Sequence, residues 1–253
     1  MYPERAAAGG RIWGNKDFSF QLEDHRASIR NARLASTSFE RQGFTLLKRT
    51  LDIDFTDKGS VEQRWHPQAQ QLIRDLTGAT EVFPFLGILR GGENAEGGGP
   101  ALMAHVDFNA PTLREWVTRL GGERGAQLAQ RRLVNINLWT PLRPVQNSPL
   151  AVCDASSIET PDVLEISFGR PETRQTDEFA GGFESGGFVL AFNPRHRWYY
   201  YPQMNRDEAV LFKFYDSDRT VAWRVPHTAF EDPAVAKADP RTSIEFRVTA
   251  FFD

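Results

Sequence analysis

"RLVNINLWTPL", residues 132–142, alternates apolar and polar or bulky side chains and then stops at a proline. In an extended chain, side chains alternate between faces with period two, so Asn135, Asn137 and Trp139 share one face and Val134, Ile136 and Leu138 share the other. Runs of the same character follow it: "SPLAVCDASSI" (148–158), "GGFVLAFN" (186–193), "HRWYYYPQM" (196–204), "EAVLFKFYDS" (208–217) and "SIEFRVTAFFD" (243–253). Each is short, rich in aromatic or β-branched residues, and bounded by Pro, Gly, Asn or Asp. Many short strands at such spacing predict a mainly β fold with flanking helices, built on a sandwich, jelly roll or barrel.

Upstream the pattern changes. "HRASIRNARL" (25–34) and "HPQAQQLIRDLTGA" (66–79) carry apolar residues at helical spacing, and the second closes on Gly78, a suitable C-cap. Between them "RQGFTLLKRTLDIDF" (41–55) predicts a strand or two, and "TEVFPFLGILR" (80–90) predicts another. "PTLREWVTRLGGERGAQLAQRRL" (111–133) is a helical insertion among the strands. The glycine-rich "GGENAEGGGP" (91–100) is a surface loop; a phosphate cradle would need a following helix with Lys and Ser/Thr, which is missing. No linker divides the chain. Residues 1–253 are expected to form a single domain, in which a helical and loop portion (about 1–80) packs on a β core (about 81–253).

Composition excludes several function classes. With 30 Lys and Arg against 33 Asp and Glu, the net charge of −3 gives no reason to expect nucleic acid or an anionic membrane as a partner. No apolar run is long enough to span a bilayer, and "MYPERAAAGGRIW" at the N-terminus has no apolar signal core. A lone cysteine, Cys153, forms no intrachain disulfide and suits a reducing compartment, so a cytoplasmic location is expected.

"ALMAHVDFNA" (101–110) carries the chemistry. A strand holding His105 and Asp107 two residues apart presents both on one face, where they could reach one metal ion. A third ligand is needed, and His25, His66, His196 and His227 are the candidates. His227, in "AWRVPHTAF", stands between two predicted strands that a jelly roll returns to the neighbourhood of His105. The other three sit in polar, helix-like or turn-like stretches and read as solvated. Two histidines and a carboxylate on one face form the facial triad of non-haem Fe(II) oxygenases, which leaves three positions open for cosubstrate and dioxygen. In the purely structural reading, His105 and Asp107 pair with each other or with the backbone.

An oxygenase that uses 2-oxoglutarate also needs a fixed cation for the cosubstrate's far carboxylate, and arginine's planar fork suits that task. "PRTSIEFRVTAFF" offers two, each followed two residues later by a hydroxyl: Arg241 with Ser243, and Arg247 with Thr249. Arg241 lies 14 residues past His227 and Arg247 lies 20 past it. Loop length is the poorer guide, so the position inside the terminal strand favours Arg247. Arg241 is then expected near the substrate or near Glu245.

"HVD", "NINLWTPL", "SPLAVCDASS", "WYYYPQMNRDEAVLFKFYDSD", "PHTAFEDP" and "PRTSIEFR", in this order, resemble the hydroxylase/desaturase family of natural-product pathways. That family includes the cephamycin C-7 hydroxylase component and gibberellin-desaturase-like proteins of fungi. The resemblance runs from about residue 30 to the C-terminus. It implies a double-stranded β-helix (a cupin-like jelly roll), one Fe(II), and 2-oxoglutarate and O2 as cosubstrates. It places the ligand roles on His105, Asp107 and His227, and a 2-oxoglutarate role on Arg241 or Arg247. Two positions depart from the pattern: Thr140, where an arginine is expected after Trp139, and Phe108, where tyrosine is frequent. Asp107 argues against a halogenase, in which a small residue replaces the carboxylate.

Asn137 is expected in the cosubstrate pocket, because a buried amide must be hydrogen-bonded somewhere. Trp139, Phe108, Trp198 and Tyr200 are expected to wall a substrate pocket. Alternation sends Tyr199 and Tyr201 the other way. Glu208 reads as solvated; Lys213, Tyr215 and Asp216 read as a structural polar cluster. Two rival classes share part of the pattern: a metal hydrolase on the same three ligands, and a non-catalytic jelly-roll binding module. The hydrolase leaves the terminal arginines unexplained. The expected activity is oxidation of a small organic molecule by hydroxylation, desaturation or cyclisation.

Overall fold

The computed structural model describes residues 1–14, 17–48, 53–54, 57–91, 100–168, 185–232, 239 and 241–253. Eight strands build its centre: β1 (Glu81–Arg90), β2 (His105–Val106), β3 (Arg132–Pro141), β4 (Leu150–Cys153), β5 (Trp198–Tyr200), β6 (Glu208–Asp216), β7 (His227–Ala229) and β8 (Ser243–Phe252). They divide into two sheets, one ordered β1-β8-β3-β6 and the other β2-β7-β4-β5. Six of the seven steps along the chain cross between the sheets, and β4 to β5 stays within one. This is the double-stranded β-helix that the family resemblance implies, one of the β architectures the strand pattern allows, with every core pair antiparallel.

Two helices flank this core. Helix α1 (His66–Thr77) ends on Gly78 in the left-handed conformation (φ 71°), a backbone that costs glycine little. Its Ala69 and Ile73, with Trp65 just ahead, pack on Ile136, Leu138, Phe246 and Val248, on the outer face of the first sheet. Helix α2 (Ala110–Leu128) starts at Asn109, whose side chain accepts a hydrogen bond from the Thr112 amide at 3.0 Å, and kinks at Gly122. Strand β3 is therefore buried on both sides. Its even residues lie under α1, and its odd residues Asn135, Asn137 and Trp139 turn inward.

The N-terminal part differs from its expected helical character. "HRASIRNARL" forms no α-helix: Ile29–Asn31 is a strand pairing with β5, followed by a short 3-10 turn over Ala32–Leu34. Phe44–Lys48 adds a strand beside β6, as expected, while residues 49–52 and 55–56 lie outside the described residues. Edge-strand pairing offers these segments more hydrogen bonds than an isolated short helix would. Most of the glycine-rich loop, 92–99, also lies outside the described residues. The pattern "VLEISF" went unread in the sequence. It forms strand Val163–Phe168, which pairs with Ser185–Leu190 and widens the second sheet past β2.

Glu208 is not solvated. Its carboxylate takes two hydrogen bonds from Arg33, at 2.7 Å each, and tethers the N-terminal segment to β6. These bonds hold the Glu208 carboxyl pKa below its ordinary value, against the opposing effect of burial. A depressed carboxyl pKa contributes stability above the unfolded value of about 4.3 and loses it as pH falls. Glu208→Gln should therefore cost about 1 to 2 kcal/mol in urea denaturation at pH 7. That difference should close as the pH drops below about 4.

Candidate metal centre

Register brings the ligand candidates together. His105 on β2 stands directly opposite His227 on β7, and β7 in turn pairs with β4. In antiparallel strands, directly opposed residues share a face. Val152 faces both His227 and Tyr199, so these side chains all turn toward the first sheet. Asp107 follows β2 on that same face. One ligand atom from each of His105, Asp107 and His227 can be chosen so that all three lie within 4.8 Å of one another.

The hydrogen bonds set the chemistry of these atoms. Each histidine donates Nδ1–H to a backbone carbonyl: His105 to Met103 at 2.7 Å, and His227 to Val225 at 3.3 Å. Each Nε2 lone pair is thereby turned toward the centre. Burial first, then His227, pushes the His105 pKa down to about 4, so its imidazole is neutral at pH 7. The His227 Nε2 lies 3.3 Å from Asp107 Oδ2, and that oxygen is buried with no hydrogen-bond donor. In the neutral Nδ1–H tautomer the His227 lone pair faces that oxygen and the two repel; a proton on Nε2 or a metal cation between them removes the repulsion. Burial raises the Asp107 pKa, but Arg247 and the two histidines outweigh it and hold the carboxyl ionised. Two imidazoles and one carboxylate clustered in this way fit a divalent transition metal.

Behind the triad lies a buried charge chain. Arg247 reaches Asp107 Oδ2 at 3.5 Å and Glu245 Oε2 at 2.7 Å, and Glu245 also takes a hydrogen bond from Arg90. Burial would raise the Glu245 pKa, yet Arg247 and Arg90 bring it down to about 2. The Asn137 amide adds a longer contact to Glu245 at 3.4 Å. On the other side, Phe212 and Phe214 pack on the His227 ring at 5.0 and 5.2 Å and fix its plane.

A narrow cavity runs from the histidines along the inner face of β3, past Asn137 and Trp139 to Arg241. Arg241 is buried, with Nη1 donating to the Ser148 carbonyl at 2.6 Å and its guanidinium 5.3 Å from the Trp139 ring. Burial lowers its pKa to about 10. The Arg241 Nε, the Ser243 Oγ, the Trp139 Nε1 and the Asn137 Oδ1 are all buried without a partner. Thr249, by contrast, accepts a hydrogen bond from Asn135 at 3.1 Å deeper in the core and does not line the cavity.

Other expected residues fall elsewhere. Trp198 and Tyr200 oppose Cys153 and Ala151, so they point away from the histidines into a separate groove. Tyr199 and Tyr201 are the pair that faces the inner core. Phe108 sits near the centre, 5.7 Å from the Arg247 guanidinium. His25 is solvent-facing and bonded to Glu23. His66 and His196 are not solvated: His66 stacks on Phe246 at 4.7 Å outside the barrel, and His196 is buried against Asp162 at 3.1 Å. Sequence reasoning did not give Arg90, Phe212 or Phe214 a place here; only the strand register reveals them.

A jelly roll carrying an inward His-Asp-His cluster beside a buried arginine defines the class of non-haem iron oxygenase folds. Comparison with known proteins agrees. Residues 8–251 match the family described as "Oxidoreductase/YMDC permease-like domain". Among the described residues no helix is long and apolar enough to cross a membrane. The alpha-ketoglutarate-dependent dioxygenase phiK of a fungal species is 30% identical over 243 residues, covering 91% of this chain and 85% of that one. The Fe(II)/2-oxoglutarate-dependent dioxygenase nvfI of Aspergillus novofumigatus is 30% identical over 250 residues, covering 94% and 87%. A solved structure of the iron and alpha-ketoglutarate-dependent endoperoxidase NvfI superposes with TM-score 0.85 at 27% identity, covering 99% of this chain and 95% of that one. The chain belongs to this family of Fe(II)/2-oxoglutarate-dependent dioxygenases, whose members include proteins named hydroxylase/desaturase. It is an oxidoreductase that uses Fe(II), 2-oxoglutarate and O2.

Glu245→Ala would leave Arg90 and Arg247 buried beside each other without their shared anion. The expected cost is about 3 to 5 kcal/mol in urea denaturation at pH 7. An unchanged denaturation midpoint would show that the charge chain carries no stability.

Proposed function

We propose that His105, Asp107 and His227 hold the iron, and that Arg241 with Ser243 anchors the far carboxylate of 2-oxoglutarate. The supporting observation is a set of orphaned polar atoms in and around one cavity, whose lining includes Asn137, Trp139 and Arg241. Asp107 Oδ2, Asn137 Oδ1, Trp139 Nε1, Arg241 Nε and Ser243 Oγ are all buried without partners. Leaving such groups unpaired costs about 1 to 3 kcal/mol each. A cation would satisfy the Asp107 oxygen, and a dicarboxylate would accept from Trp139, Arg241 and Ser243, while Asn137 Oδ1, itself an acceptor, needs a donor. Bound iron supplies the oxidising chemistry, coupling decarboxylation of 2-oxoglutarate to succinate with oxidation of a substrate C–H bond.

The two arginines then take different roles. Arg247 already carries Glu245 and Asp107 within 3.5 Å, so its charge is matched before any cosubstrate arrives. Arg241 has no carboxylate within salt-bridge range among the described residues, and its Nε and the nearby Ser243 hydroxyl are both open. That reverses the preference for Arg247 drawn from its place in the strand. Arg247 instead orients Asp107, and Asn137 and Trp139 wall the cosubstrate cavity. Phe108 faces the substrate side. The substrate is a small organic molecule; we place the protein in the cytoplasm, acting as a single folded unit, in line with its one buried cysteine.

Anaerobic addition of Fe(II) and 2-oxoglutarate should give a weak visible charge-transfer band. His105→Ala, Asp107→Ala and His227→Ala should each lose that band while keeping cooperative unfolding. Arg241→Gln should raise the 2-oxoglutarate KM by roughly 10- to 100-fold, the equivalent of about 1.4 to 2.7 kcal/mol. A raised KM in Arg247→Gln alone, with Arg241→Gln unchanged, would return the anchor to Arg247.

A further inference from the structure

Arg224 lies between β6 and β7, three residues before His227, and is only 8% exposed. Its guanidinium sits 3.7 Å from the Trp223 ring centre and 5.4 Å from that of Phe188. On the Trp223 ring there is also a second cation, Arg219, at 3.5 Å. Arg224 has no hydrogen bond and no ion pair among the described residues, and its one charged neighbour of note is the like-charged Arg219. Burial first, then Arg219, lowers its pKa to about 9.

Ring faces attract a guanidinium, but they leave its five N–H donors without acceptors. With no counter-ion and no protein acceptor among the described residues, those donors are left to whatever occupies the cavity that Arg224 lines. Arg224 and Trp223 line a cavity of about 480 Å³, together with Arg41, Ile158, Thr160 and Thr220. That volume suits a small organic molecule. Glu40 is the one carboxylate lining it, and its charge is directed to Lys213 at 3.5 Å. The cavity is thus left positive, with apolar walls. Phe188, in contact with Arg224, is register-paired with Val106, between His105 and Asp107. Three extended residues from Arg224 to His227 span roughly 10 Å.

We propose that this cavity seats the substrate's acidic end: Arg224 binds a carboxylate, Trp223 and Phe188 line the apolar body, and the substrate class is a carboxylic acid on an apolar or aromatic frame. This rests on the reading of His105, Asp107 and His227 as the iron site, and adds the substrate class to it. A ligand held at Arg224 would extend past Phe188 toward the strand that carries His105. Arg224 is then a specificity-determining residue whose charge selects acids over their neutral counterparts.

Binding of 4-phenylbutanoate and of its uncharged amide to the metal-free protein tests the site without depending on iron. The wild type should bind the acid at least about tenfold more tightly than the amide, as one charge-assisted hydrogen bond implies. Arg224→Gln should bring the two within about threefold, Arg224→Lys should keep part of the preference, and Arg219→Gln should keep it whole. A cooperative thermal transition in each variant shows that it folds. Equal binding of acid and amide to the wild type, or an undiminished preference in Arg224→Gln, overturns the proposal. With Fe(II) and 2-oxoglutarate loaded, the bound acid should shift the visible charge-transfer band. Acid-selective binding that leaves the band unmoved overturns the assignment to the substrate. A wild type that shows no band at all defeats the iron reading instead, whatever the titrations give.

Discussion

The rest of the site depends on one constraint: lone pairs that face each other inside the barrel. The Nε2 of His227 and the Oδ2 of Asp107 stand 3.3 Å apart, and backbone carbonyls already hold the Nδ1 protons of both histidines. Protonating His105 is opposed by its burial. A divalent cation between them would relieve the repulsion, and the surroundings keep the donors suited to one. Arg247 keeps Asp107 ionised, Glu245 keeps Arg247 matched, and Arg90 completes the alternation of charge. Each link would be costly alone in a dry interior; together they form a satisfied chain whose free end is the cluster of His105, Asp107 and His227.

The jelly roll makes that arrangement possible because it buries β3 and β8 on both faces. One face packs under α1 with Ile136, Leu138, Phe246 and Val248, which gives the sheet a dry core of its own. The opposite face is released to carry Asn137, Trp139, Glu245 and Arg247, which are directly opposed in register. Period-two alternation thus separates stability from chemistry within single strands. The same rule explains why Arg241 and Arg247 are not equivalent. Arg247 lies in mid-strand beside Asp107, while Arg241 precedes the strand, where the cavity reaches its far end.

Much of this was legible in the sequence, for identifiable reasons. Six of the eight core strands carry enough β-branched and aromatic residues, bounded by turn formers, to be read locally; β2 was read from its His-x-Asp spacing, and the sequence placed the β7 segment only between two predicted strands. That His105 and Asp107 would share a face was readable from their spacing, and the family resemblance added His227, which the structure brings within reach of both. The N-terminal segment was misread because residues 25–34 match helical spacing, while the edge of β5 that captures Ile29–Asn31 is a tertiary fact. Trp198 and Tyr200 failed for a related reason. Alternation shows that the two share a face, but which face turns inward is set by pairing with β4. The ranking of the two arginines could not be read either, since it turns on which of them already has a carboxylate partner.

The most direct test of the central claim is anaerobic calorimetric titration of Fe(II) into the metal-free protein, in the wild type and in Asp107→Ala. If the three side chains are a metal site, the wild type binds one Fe(II) per chain with little proton release from His105 or Asp107 at pH 7, because the His105 imidazole is already neutral and the Asp107 carboxylate ionised. Asp107→Ala should lose that binding while remaining folded. Undiminished Fe(II) binding by Asp107→Ala, or a wild type that takes up no Fe(II), would contradict the account.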